Sequence, residues 1–476
     1  MTTAPTETPA TPPTPPADFW ATPTKIAMVA AVAGLATYGI AGVLYMGTVH
    51  DGHGPDGKTQ FVLSWLAGWT YWASLPLGGL ALLMIHYLAK TSWGLLLRRP
   101  MEAATKTLPV MALLFIPVLV GLTFHEKSPY WWVDPHHAHE ELAANKEKNQ
   151  EAAEKAAGDP LIDANATKRA ERFQASQAQV QKAVEHERHD REKGTFGFLS
   201  PQVSVGLAVV LFAIWYAMIA YINKLGEVSD AVIGTGTPEQ QWEKVDEARE
   251  KLNRFSGPGL IIYAVTITAA ATQWVMSLEA GWASTMFPVI FAVNQFLTCL
   301  AFSVMVFLFL VGREPFKSAM RPKFQLDMGS LMLAFTLFWS YTSFSQLMLI
   351  WIGNLPEEIP FFLKRSAPGW WAVSAGLIVF HFAVPFLLLL FRDIKLHPVR
   401  LRVMATYLLV VCAVDVVWWV EPTFAHESPL YVLMDAGAVV GIGGVWGLVF
   451  LSFLKKRPLL PVNELYYLPE GHSEHH

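Results

Sequence analysis

Long apolar runs fill most of this chain of 476 residues, and they constrain its fold more than any other feature. A helix of about 20 apolar residues spans the roughly 30 Å hydrocarbon core of a bilayer and satisfies its own backbone polar groups there. Such runs fall at 26–49, 61–89, 105–125, 201–222, 259–279, 286–311, 328–352, 368–391, 401–420 and 430–454. They are read as spans 1 to 10 of an all-α integral membrane protein. Pro76, Pro117, Pro288 and Pro385 lie inside the runs, where neighbouring helices re-satisfy the freed backbone groups. Only 16% of residues are charged, against about 25% in soluble domains. Many of those charges crowd into 126–200.

Lys and Arg set the orientation. Lys25, then Lys90, Arg98, Arg99 and Lys106, then Lys224, Lys244, Arg249, Lys251 and Arg254 occupy alternate connections. The series continues with Arg313, Lys317, Arg321 and Lys323, with Arg392, Lys395 and Arg400, and with Lys455, Lys456 and Arg457. The short connections on the other side carry only Lys58, Lys364 and Arg365. This alternation predicts both termini on the cytoplasmic side of a bacterial inner membrane. The organisation expected is a disordered cytoplasmic tail at 1–24, spans 1–3 within 25–125, a periplasmic helical insertion at 126–200, spans 4–10 within 201–454 and a cytoplasmic tail at 455–476. The insertion translocates despite its basic residues because long loops escape the charge rule. It reads either as a solvated helical hairpin or as a docking arm for a partner outside the membrane. No cleavable signal peptide is visible.

Composition excludes several chemistries. The net charge of -4 gives no hint of nucleic-acid binding. Two cysteines, Cys299 and Cys412, both in apolar runs, rule out a self-contained Cys-ligated iron–sulfur cluster, a CxxCH haem site and a disulfide framework. His136, His137 and His139 are metal-ligand types that lack a fourth ligand nearby. No nucleotide-binding glycine motif occurs at a strand–helix junction. His86 and His381 do not match in depth, so the sequence offers no bis-histidine haem site, and no metal, catalytic or cofactor-binding residue is assigned.

Polar residues at membrane depth are costly and mark function or buried structure. Toward the cytoplasmic side lie His86 in span 2 and Asp327 at the start of span 7, with His381 near the middle of span 8. Toward the outer side lie Glu279, Asp415, Glu421 and Asp435. Glu421 reads as a solvated helix end; Asp415 and Asp435 read as proton carriers or as a structural pair. Span 7 carries Ser330, Thr336, Ser340, Tyr341, Thr342, Ser343, Ser345 and Gln346 on all sides, which predicts a helix that cannot face lipid. Asp327, Ser330, Tyr341 and Ser345 fall within about 60° of each other and form a candidate proton relay. Interhelical hydrogen bonding is the competing account of the same residues.

Several stretches resemble the membrane subunits of Alternative Complex III, quinol:electron-acceptor oxidoreductases with the NrfD/polysulfide-reductase-like fold. The most specific is FWSYTSFSQLMLIWIGNLPEEIPFFLKR, Phe338 to Arg365. Others are SLEAGWASTMF (Ser277–Phe287), SWGLLLRRPMEA (Ser92–Ala103), the region from Asp415 to Pro422, and the Pro-Leu-Leu at Pro458. The likeness covers spans 2 to 10. The long insertion after span 3 makes the chain look like the ActF-type branch rather than the quinol-binding paralogue. It departs from the family in its Pro-rich N-terminal tail and in the make-up of the insertion, so no site is carried over from either.

The resemblance implies two four-helix bundles, spans 2–5 and 6–9, flanked by spans 1 and 10. It implies partners: the paralogous quinol-binding membrane subunit, a periplasmic iron–sulfur subunit, haem c subunits and a terminal oxidase, all within lipid. The chain's expected role is that of a membrane subunit that holds no redox cofactor of its own and contributes to proton translocation and assembly. The complex as a whole would oxidise a quinol such as menaquinol. The alternatives are a quinol-oxidising subunit, a stand-alone proton-coupled transporter and a scaffold.

Overall fold

A computed structural model describes residues 17–48, 56–90, 92–124, 128–133, 197–232, 235–279, 282–312, 316–353, 358–367, 369–424 and 428–460. Among these no strand occurs. Ten helices among the described residues are long and apolar enough to cross a membrane: Asp18–Gly47, Gly57–Ala89, Trp93–Gly121, Pro201–Ala231, Glu239–Leu278, Phe287–Leu310, Pro322–Gly353, Trp370–Leu390, Pro398–Thr423 and Leu430–Leu454. The chain is an all-α, multi-pass membrane protein, and these helices are spans 1 to 10.

Span 2 packs against spans 3 and 5, and span 4 against spans 3 and 5, which closes one four-helix bundle. Span 6 packs against spans 7 and 9, and span 8 against spans 7 and 9, which closes the second. Spans 2 and 6 join the bundles and are the most enclosed helices. Their crossing depends on Gly78, where a Cβ would overlap the backbone carbonyl of Gln295. Spans 1 and 10 form the flanking pair. A Cβ on Gly34 would overlap the backbone of Gly441, and one on Gly444 the backbone of Ala31, so these glycines allow a backbone-to-backbone approach. The outward surfaces carry Ile26, Val209, Ile261, Leu349 and Val403, the apolar coat a bilayer requires.

The helices depart from the sequence expectation at identifiable places. Span 1 belongs to a helix that begins at Ala17, inside the segment expected to be a tail, because Asp18 is an acidic first-turn residue and Pro23 is accommodated. The remainder of the expected tail, 1–16, lies outside the described residues, as do 461–476. SWGLLLRRPMEA is helical from Ser92 to Thr105 and forms the start of span 3 instead of a connection. Span 5 extends a helix that starts at Pro238, where Thr237 and Gln240 form a reciprocal capping box. Residues 134–196 of the insertion, with His136, His137 and His139, lie outside the described residues. Its first turn is anchored: Tyr130 Oη donates to the Trp274 carbonyl at 2.9 Å, and Trp132 Nε1 to Ser277 Oγ at 3.2 Å.

Span 7 is buried by its own chain on one side. Its buried side is Met328, Met332, Thr336, Trp339, Thr342 and Gln346. The Asp327–Ser330–Tyr341–Ser345 file points about 150° away from that side, out of the bundle. Hydroxyls on the buried side are absorbed locally: Thr336 Oγ1 donates to the Met332 carbonyl and Thr342 Oγ1 to the Phe338 carbonyl. The polarity spread around span 7 is thus covered by this chain on one side only.

Candidate functional site

At the centre of the second bundle, four spans converge on Asp415. Its Oδ2 accepts from Asn294 Nδ2 of span 6 and from Trp339 Nε1 of span 7, both at 2.8 Å. Its Oδ1 is buried with no hydrogen-bond partner among the described residues. His381 of span 8 is wholly buried, and its ring stacks on Trp339 with centroids 3.8 Å apart. His381 Nδ1 lies 3.9 Å from Asp415 Oδ2 and has no hydrogen-bond partner among the described residues. Its Nε2 lies 3.6 Å from Cys412 Sγ. Thr298 Oγ1 donates to Asn294 Oδ1 at 3.2 Å, which turns the Asn294 amide toward Asp415.

The local fold explains how His381 comes to lie there. Leu377–Ala383 is a single π-helical turn within span 8. Such turns insert an extra residue into the helical register, recur at functional sites and re-aim the side chains they carry. A carboxylate at membrane depth costs several kcal/mol unless hydrogen-bonded, and the indole and amide donors supply part of that. The cluster thus holds an imidazole and a carboxyl, the two side-chain types best suited to moving protons near neutral pH, each with one open hydrogen-bonding atom.

The other predicted residues divide among three places. We call the end where Arg98, Arg99 and Arg457 cluster the basic end. At the opposite end, Glu421 is fully buried, not the solvated helix end the sequence suggested. It accepts from Gln60 Nε2 at 3.0 Å, and the carboxyl of Asp435, buried as well, lies beside it. Glu279, also at that end, pairs with Lys364 at 2.6 Å, and Lys364 Nζ donates to the Thr423 carbonyl. Toward the basic end, His86 is buried beside Trp93, with Gly94 against its ring. Ser330 Oγ accepts from Lys395 Nζ at 3.1 Å, while Tyr341 lies 66% exposed on the outside. Asp415 and His381 are therefore brought together, as are Asp435 and Glu421, whereas Tyr341 and Ser345 belong to neither cluster.

Sequence reading missed Asn294, Trp339, Thr298, Cys412 and Gln60. A signal for the first was present: Asn294 and Gln295 interrupt an apolar run, and uncharged amides at membrane depth call for partners just as charges do.

The stretches that carry the family resemblance also meet in space. Trp282 of SLEAGWASTMF stacks on Phe361 of the Phe338–Arg365 stretch, 4.0 Å between centroids. Arg365 stacks on Phe361 and donates to the carbonyls of Phe361, Trp418 and Trp419, capping the end of span 9. At the basic end, Glu102 of SWGLLLRRPMEA accepts from Arg98, Arg99 and, at 2.9 Å, Arg457, the residue before Pro458. No protein-family model matches the chain, and no curated protein matches it by sequence.

Proposed function

We propose that this chain is a membrane subunit of a respiratory quinol:electron-acceptor oxidoreductase of the Alternative Complex III type, in which it moves protons and supports assembly. The observation that carries the proton role is the buried His381–Asp415–Asn294–Trp339 cluster at membrane depth. Stability alone does not favour such a cluster, because apolar residues fill a bundle without desolvating a carboxyl. The Glu421–Asp435–Gln60 cluster adds a pair of buried carboxyls nearer one membrane face. In this reading the basic end faces the cytoplasm, the redox groups reside in partner subunits, and the oxidoreductase complex supplies the driving reaction.

The subunit assignment rests on the motif stretches, which pack onto one another at both ends of the molecule. The test is purification of the tagged chain from its native membrane, followed by reconstitution. The reading expects haem c and iron–sulfur subunits in the purified material, with quinol oxidation releasing protons from proteoliposomes. A chain that purifies without redox partners and drives solute uptake down a proton gradient is a transporter, and a quinone analogue that labels this chain makes it the quinol subunit.

A further inference from the structure

We propose that the outward file of span 7 is a docking surface for a transmembrane helix of a different membrane subunit, one with a hydrogen-bond acceptor near the bilayer midplane and a donor or basic side chain opposite Asp327. This holds whatever reaction the assembly performs.

Tyr341 is the first observation. It is 66% exposed and lies about 5 Å along the axis from the middle of Pro322–Gly353, well inside a hydrocarbon layer that extends about 15 Å to either side. A serine or threonine hydroxyl can turn back to its own helix, as Thr336 and Thr342 do. A phenol is too long to reach those carbonyls, and Tyr341 has no partner among the described residues. Lipid tails offer none.

The rest of the file argues for a protein rather than lipid. Asp327, Ser330, Tyr341 and Ser345 share one face, with the small residue Ala334 exposed between Ser330 and Tyr341. Tyr216 on span 4 is likewise exposed, at 56%, but Val209 and Val205, which continue its face along the helix, are apolar. One exposed tyrosine does not make an interface; a file of acid, hydroxyl and phenol along several turns does.

The file also selects between kinds of partner. A two-fold dimer in a membrane has its axis along the membrane normal, so each residue meets groups at its own depth. Asp327 would then face Asp327 of the second copy, and it has no ion-pair partner among the described residues to offset that repulsion. A different helix can supply the complementary donor.

The test uses the full chain in its native membrane. A benzophenone amino acid replaces Tyr341 or, as a control, Val209, which is 63% exposed on span 4. Position 341 is expected to give a covalent adduct with one polypeptide of different sequence that carries a transmembrane helix, and position 209 none. Ala334→Trp is expected to lower recovery of that polypeptide with the tagged chain about tenfold. The chain's own membrane level should hold, and Val209→Trp should leave recovery unchanged. Adducts with a second copy of this chain, or equal yields from 341 and 209, overturn the proposal.

Discussion

His381 and Asp415 approach to 3.9 Å without forming a direct hydrogen bond, and Trp339 holds both of them. Its ring lies under the imidazole while its N–H points at the carboxylate, so one side chain sets the geometry of the pair. The gap leaves His381 Nδ1 and Asp415 Oδ1 open, which distinguishes the pair from a closed structural ion pair.

Trp339→Phe separates the two tasks of that residue. A ring remains to stack on His381, but the donor to Asp415 Oδ2 is gone and Asn294 is left as the one strong donor. Losing a hydrogen bond to a buried charged group costs about 1–3 kcal/mol. The variant is expected to assemble with a modestly lowered thermal midpoint in detergent and a slowed proton release. An unchanged midpoint and rate together make the indole N–H dispensable.

The basic end makes a sharper stability prediction. Glu102 is buried and accepts from three guanidinium groups, Arg98, Arg99 and Arg457. Glu102→Gln keeps the shape but removes a charge that all three share. Breaking a buried ion pair from one side costs about 3–5 kcal/mol because the remaining charges stay desolvated. The variant should accumulate poorly in the membrane and unfold early. Arg457→Gln should be milder, since Arg98 and Arg99 still satisfy the carboxylate.

The pairing of spans 1 and 10 rests on close backbone approach. Gly34→Leu drives a side chain into Gly441, and the span 1–span 10 contact has no room to give. Overpacking of this kind costs about 1–3 kcal/mol or more. Gly39 is the matched control, because a Cβ there meets nothing. Gly39→Ala should leave the thermal midpoint level or slightly raised through helix propensity. Protease sensitivity of the N-terminal helix should rise in the first variant only.

The spans and their order were legible because hydrophobic length acts locally along the chain. Helix ends were less so: SWGLLLRRPMEA reads as a polar connection until Glu102 neutralises its arginines. Orientation about the helix axis was hardest. Span 7 bears hydroxyls on every side, and a sequence does not tell which of them bond their own backbone and which reach a neighbour. Asp415 and His381 were visible as isolated polar residues. Their meeting was not, because it depends on a π turn in span 8 and on uncharged partners, Asn294 and Trp339, from two other helices. Glu421 looked solvated from its place at a helix end, and its burial beside Gln60, 361 residues away, shows only in the fold.

Asp415→Asn is the decisive substitution for the proton reading. Asparagine keeps the volume and can still accept at its carbonyl oxygen from Trp339 Nε1 or Asn294 Nδ2, so the bundle core should survive. Its amide cannot bind or release a proton, so the cluster loses its carboxyl while keeping His381. The complex is expected to assemble with its full subunit set and to oxidise quinol at a moderately reduced rate. Protons released per electron in proteoliposomes should fall. His381→Gln should produce the same decoupling, because it removes the other titrating group on the same site. Asp327→Asn and Tyr341→Phe should leave the proton-to-electron ratio at its wild-type value, since both residues lie on the outward file of span 7 and away from the cluster. A wild-type ratio in Asp415→Asn and His381→Gln alike would reduce the cluster to interhelical hydrogen bonding. A lowered ratio in Asp327→Asn would instead return the outward file to the path.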